Sequence, residues 1–81
     1  MYRRTSPGLS KGKMNLLGGK FQAMRMTQDW TQLQMVMRLR KRGWQIELAT
    51  LARIETGQRS LADNEVYLLL ETLGKRWADL D

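Results

Sequence analysis

Apolar residues return along this chain at three- and four-residue intervals and nowhere alternate, so every patterned segment reads as helix. Leu17, Phe21 and Met24 share one helical face and predict a first helix over about Leu16 to Gln28. Asn15 is its candidate cap, and Gly18-Gly19 weakens its first turn. Thr31 precedes Gln34 by three residues, the capping-box spacing, which opens a second helix at Gln32. That helix turns Met35, Val36 and Leu39 inward and ends near Arg42-Gly43. Arg38, Arg40, Lys41 and Arg42 suit the negative end of its dipole, and Gly43 supplies the stop. After the connector Trp44-Gln45-Ile46, a third helix runs over about Glu47 to Glu55, burying Leu51 and Ile54 and ending at Gly57. Asp63 is the candidate cap of a fourth helix, Asn64 to Leu73, in which Val66, Leu69, Leu70 and Leu73 repeat at helical spacing. Gly74 breaks the chain, and Arg76 to Leu80 suffices for one last turn or two. The expected fold is an all-α bundle of four to five short helices.

Composition narrows what such a bundle can do. At 81 residues it is one small domain, near the size at which a single core only just suffices. The absence of cysteine rules out a disulfide framework or thiolate site, and the absence of histidine removes the commonest general base and metal ligand. With no phosphate-cradling glycine loop either, neither an enzyme nor a cofactor or metal is expected. The terminal carboxylates Asp79 and Asp81 read as solvated.

The chain carries 14 basic and 8 acidic residues, a net charge of +6, unevenly spread. Arg3, Arg4, Lys11, Lys13 and Lys20 lie in the first twenty residues without a single acid, and the remainder is close to neutral. Residues 1–13, with Ser6-Pro7-Gly8, Ser10 and Gly12, are expected to be a flexible basic arm on a domain of residues 14–81. Such an arm suits attraction to phosphate; a solvated tail is the plain alternative. Because domain-like sequence begins directly after Met14, a vector remnant or an upstream start also accounts for the arm. No apolar run approaches a membrane span and the head has no apolar signal core. A cytoplasmic protein without a membrane partner is expected.

Two short patterns carry the functional reading. Thr31-Gln32 opens the second helix, and Ile54-Glu55-Thr56-Gly57-Gln58-Arg59 closes the third. Together they resemble the Cro/XRE type of helix-turn-helix, the lambda-repressor-like DNA-binding domain, over roughly Asn15 to Leu80. The resemblance implies that the second helix lies across a DNA backbone while the third enters the major groove. It implies a phosphate contact for Gln32, which is otherwise an ordinary first-turn residue. It also implies a structural salt bridge between Arg25, seven residues before Gln32, and Glu55.

The chain departs from the pattern in two ways. Gln32 and Glu55 are 23 residues apart, about five more than the usual motif, with the excess around Arg40 to Trp44. In this the chain resembles a sub-pattern with a lengthened second helix and a Gly-Trp before the recognition helix. The Arg38-to-Arg42 cluster then lies near the turn, on phosphates or in solvent. The second departure is a thin reading face. Gln45 can pair with adenine, Thr50 with a base or phosphate, and Glu47 with cytosine N4, or else simply with the helix dipole. Leu48 and Ala49 can touch only a thymine methyl. Arg53 can reach a phosphate or guanine, and Arg59 and Ser60 match the family's second backbone-contact region; all three also suit an ordinary surface.

The expectation is a sequence-specific regulator that binds double-stranded DNA. The alternative is a protein-interaction module on the same fold, such as the antitoxin of a toxin–antitoxin pair, whose partner would be a cognate toxin. Leu33 and Met37, beside Leu48, offer a contact surface for a homodimer; burial in a wide core stripe is the expected reading. Trp44 and Trp77 are expected at the core or its rim, Trp30 at the turn between the first two helices, and the six methionines in the core as filler.

Overall fold

The computed structural model describes residues 13–81, in which four α-helices and one closing 3-10 turn account for all regular structure. They are α1 (Gly18–Thr27), α2 (Gln32–Lys41), α3 (Leu48–Glu55), α4 (Asp63–Leu73) and the turn Trp77–Leu80. No strand occurs among the described residues, and no helix there is long and apolar enough to cross a membrane. The expectations for the basic head fall outside the described residues, except at Lys13.

Helix α1 starts two residues later than its apolar spacing suggests, and the side chain of Asn15 explains why. Its Oδ1 accepts from the backbone N–H groups of Leu17 (2.9 Å) and Gly18 (2.6 Å), two donors that the first helical turn leaves without partners. Its amide donates to the carbonyls of Ile54 (3.2 Å) and Arg59 (2.6 Å), so one side chain both opens α1 and ties it to the end of α3. Gly18 serves the same junction. A β-carbon there would stand 2.0 Å from the Ile54 carbonyl oxygen, whereas one on Gly19 would meet nothing. The first glycine of the pair is thus the condition for α1 and α3 to touch, rather than a weakness of the helix.

The Thr31 capping box forms in full. Gln34 N–H donates to Thr31 Oγ1 at 3.1 Å and Thr31 N–H to Gln34 Oε1 at 2.8 Å. At the other end of α2 the chain reverses through Gly43 at φ +98°, a left-handed conformation open to glycine at little cost. Helix α4 differs from expectation at its start. Asp63 is its first helical residue, not its cap; the cap position is Ala62, whose N–H donates to the carboxylate of Glu65 at 3.1 Å.

Phe21, Met35, Val36, Leu39, Leu51, Ile54, Leu69 and Leu70 form the fully buried centre, joined by Ile46 from the connector and Leu80 from the closing turn. Each such side chain contributes about 1.5–3 kcal/mol by leaving water. Trp30 and Trp44 pack partly buried against this centre. Trp77 does not: it is 51% exposed, because the 3-10 turn turns Leu80 inward and Trp77 outward. Among the described methionines Met35 is buried, whereas Met14, Met26 and Met37 are exposed, so only part of the set is core filler. The expectation of a wide buried stripe on α2 also fails. Met35, Val36 and Leu39 are the buried residues of α2, whereas Leu33 (57% exposed) and Met37 (50%) face solvent; Leu48 of α3 is exposed as well.

Candidate nucleic-acid interface

Two polar contacts join α3 to α2. At the start of α2, Gln32 Nε2 donates to Glu55 Oε1, 2.9 Å, at the end of α3. At the far end, Arg40 Nε donates to the Ile46 carbonyl at 2.9 Å, and its guanidinium stands 3.8 Å from Glu47, the residue preceding α3.

Glu55 is the centre of this junction. Arg25 grips it with two parallel N–H donors, Nε to Oε2 at 2.7 Å and Nη2 to Oε1 at 3.0 Å. The third guanidinium nitrogen, Nη1, donates to the Trp30 carbonyl at 2.6 Å, so the arginine also pins the turn between α1 and α2. With the Gln32 bond, a buried carboxylate receives three donors, which offsets much of the cost of removing its charge from water. A pair of this kind adds little net stability over an apolar replacement, yet removing one partner strands a buried charge and costs about 3–5 kcal/mol. Its role is to fix where α3 lies relative to α1 and α2.

Gln32, aligned by resemblance with a phosphate donor, therefore turns one of its two amide N–H groups inward. The other is left for an outside acceptor. On α3, Ala49 and Arg53 are four residues apart and exposed, forming one outward line. Gln45, Glu47 and Leu48 are exposed at the leading edge, whereas Thr50 is half-buried on a flank. Ser60 is exposed before α4.

Arg59 differs from the free backbone-contact group expected of it. Its fork is committed to Glu65, at 3.0 and 3.1 Å, and one nitrogen also donates to the Ser60 carbonyl at 3.1 Å. Its hydrogen bond to Glu65 raises its pKa above the usual value and holds Glu65 below the usual carboxylate value. A phosphate near Ser60 would have to share this guanidinium with Glu65.

The four cations at the end of α2 do not all face one way. Arg40 leans toward α3, Arg42 pairs with Glu71 of α4 at 3.2 Å, and Arg38 stacks over the Trp30 ring 4.0 Å from its centroid. Lys41 is exposed between them. No cluster of three His, Cys, Asp or Glu residues suited to a metal ion occurs among the described residues.

The pairing of Arg59 with Glu65 leaves no mark in the sequence, because it joins a loop to a helix six residues on, outside any helical spacing. The double duty of Asn15 and the inward turn of Gln32 depend on tertiary closure and carry no local signal. Comparisons of this chain with protein-family models, with curated proteins and with solved structures return no match.

Proposed function

We propose that this protein is a sequence-reading regulator that binds double-stranded DNA through α2 and α3, in the manner of the Cro/XRE helix-turn-helix proteins it resembles. The observation that carries the reading is the buried Arg25–Glu55–Gln32 junction, which holds α3 rigidly beside α2 while Ala49 and Arg53 face outward. A rigid helix presented this way is what insertion into a major groove requires. Arg53 supplies a donor fork for guanine or phosphate, Gln45 an amide for adenine, and Ala49 and Leu48 apolar contact for a thymine methyl. The remaining N–H of Gln32 and the start of α2 meet the backbone, and the net charge of +6 favours approach to a polyanion. Such a protein works in the cytoplasm.

A binding titration on a preferred duplex and on a scrambled one tests this docking. Arg53→Ala and Thr50→Ala are expected to narrow the difference between the two duplexes, whereas Gln32→Ala weakens both alike. Identical effects from all three variants would count against it.

The exposure of Leu33, Met37 and Leu48 favours a second reading, a protein-interaction module whose partner, such as a cognate toxin, covers that face. Under it, Leu33→Lys with Met37→Lys abolishes copurification with the product of an adjacent gene and leaves DNA affinity no weaker. Unchanged copurification would remove this reading.

A further inference from the structure

On the flank of α2 that faces α4, away from α3, lies a shallow groove of about 340 Å³ lined by Arg38, Lys41, Arg42 and Thr72. Three cations border it, at helical positions i, i+3 and i+4 of one helix end. Two of them are held in place. The Trp30 ring carries the guanidinium of Arg38 at 4.0 Å, and Glu71 holds that of Arg42 at 3.2 Å. Holding them reduces the side-chain entropy that a ligand must freeze out. Thr72 is the fourth element. It is buried, and its hydroxyl is the one buried side-chain polar atom without a hydrogen-bond partner among the described residues.

An orphaned buried hydroxyl is uncommon because it forgoes water and receives nothing in exchange. A threonine in a helix has two accessible side-chain rotamers, so rotation about one bond can exchange its methyl and hydroxyl. We infer that the groove between α2 and α4 is a phosphate-binding site in which Arg38, Lys41 and Arg42 neutralise the anion and the Thr72 hydroxyl, closed to solvent as it stands, donates to it once rotated outward.

Two features oppose an anion there. The end of α2 contributes a partial negative charge equivalent to about half an electron, and Glu71 contributes a full one. Three full positive charges exceed their sum. The arginines supply the fork geometry that matches phosphate oxygens, and an incoming phosphate can take over the Arg42 donors from Glu71. Because Arg40 leans toward α3 and Arg42 toward α4, the groove and the α3 face lie on different flanks of α2. The inference rests on the residues of the groove itself and stands whether or not α3 reads DNA.

The phosphate belongs either to a small phosphorylated molecule or to a nucleic-acid backbone, and amide-resolved NMR titration of the full chain separates the two. Inorganic phosphate at pH 7.5 is added to one sample, a short duplex to a second, and sodium chloride at matched ionic strength to a third. Shifts confined to Arg38, Lys41, Arg42 and Thr72 that saturate with phosphate, and not with chloride, are the expected result. The same local shifts from the duplex alone assign the site to a nucleic-acid backbone. Lys41→Gln, on an exposed side chain, is expected to weaken binding about tenfold, as loss of a charge-assisted bond does. The decisive variant is Thr72→Val, which keeps shape and removes the hydroxyl. It is expected to raise Tm, because an unsatisfied polar atom is gone, and at the same time to weaken phosphate binding. A Thr72→Val protein that binds phosphate as tightly as the natural chain would overturn the inference. So would shifts reproduced by chloride, or phosphate-induced shifts spread equally over Arg53, Lys75 and Arg76.

Discussion

Two arginine–glutamate pairs in this molecule share a forked geometry and differ in their surroundings. Arg25–Glu55 closes at 2.7 and 3.0 Å with side chains 10% and 1% exposed, where α1, α2 and α3 meet. Arg59–Glu65 closes at 3.0 and 3.1 Å with side chains 34% and 19% exposed, tying a loop to the first turn of α4. Water can replace a lost partner in the second pair and cannot reach the first. The inner pair therefore governs the docking of whole helices, and the outer pair trims the end of one. Identical contact chemistry has different consequences because the cost of losing a partner is set by access to solvent.

The inner pair depends first on Gly18. Arg25 reaches Glu55 only because α1 approaches α3 without a side chain between them, and a β-carbon there would overlap the Ile54 carbonyl oxygen. Gly18→Val should abolish cooperative unfolding near room temperature, since a small domain holds only about 5–15 kcal/mol in all. Gly19→Ala, with open space around it, should instead stabilise α1 by about 0.5–1 kcal/mol. Circular dichroism melts of the two neighbours would decide the matter, and similar melts would remove the close-approach argument.

Next in size is the buried pair itself. Glu55→Ala leaves the Arg25 guanidinium buried and unpaired and should cost about 3–5 kcal/mol in denaturant unfolding. Replacing both partners together, Arg25→Met with Glu55→Leu, should recover most of that loss. A double variant as unstable as the single one would mean that the pair contributes net stability in its own right.

The outer pair gives the smaller response. Arg59→Ala should cost about 1 kcal/mol, part of it through the Glu65 carboxylate that accepts from Ala62 N–H at the start of α4. It also has a pH signature. Glu65 is held below its ordinary value, first by the hydrogen bond from Arg59. A carboxyl whose pKa is lowered on folding stabilises the protein above its unfolded value of about 4.3, and that contribution is lost as pH falls through the lower folded value. Stability should thus decline in acid more steeply for the natural chain than for Arg59→Ala. Superimposable pH profiles would refute that role for Glu65.

Smallest for stability is Arg53→Ala, expected within about 0.5 kcal/mol of the natural chain, because the side chain is exposed on α3. Loss of several kilocalories there would mean that Arg53 belongs to the fold and not to an open surface.

Much of the architecture was legible in the chain. The spacing of Val66, Leu69, Leu70 and Leu73 and the Thr31/Gln34 box translate directly into α4 and α2, because burial and capping are local demands on periodicity. The core side of α2 was legible too, but not its width. Which apolar residues stay outside depends on how closely α3 and α4 approach, and Leu33 and Met37 carry no local mark of it. The site residues divide in the same way. Ala49 and Arg53 are outward by helical phase alone, whereas Gln32 and Arg59 are claimed by carboxylates that only tertiary closure brings near.

Whether α3 is held so that its outer face reads a duplex is decided by a binding selection with the full chain. A random duplex pool should be used at roughly physiological ionic strength, where sequence-blind attraction to phosphate is weakened. Enrichment of a defined motif that fades when Arg53 is replaced by alanine is the expected result. Retention without a motif, sensitive only to salt, or a motif indifferent to Arg53, would contradict it.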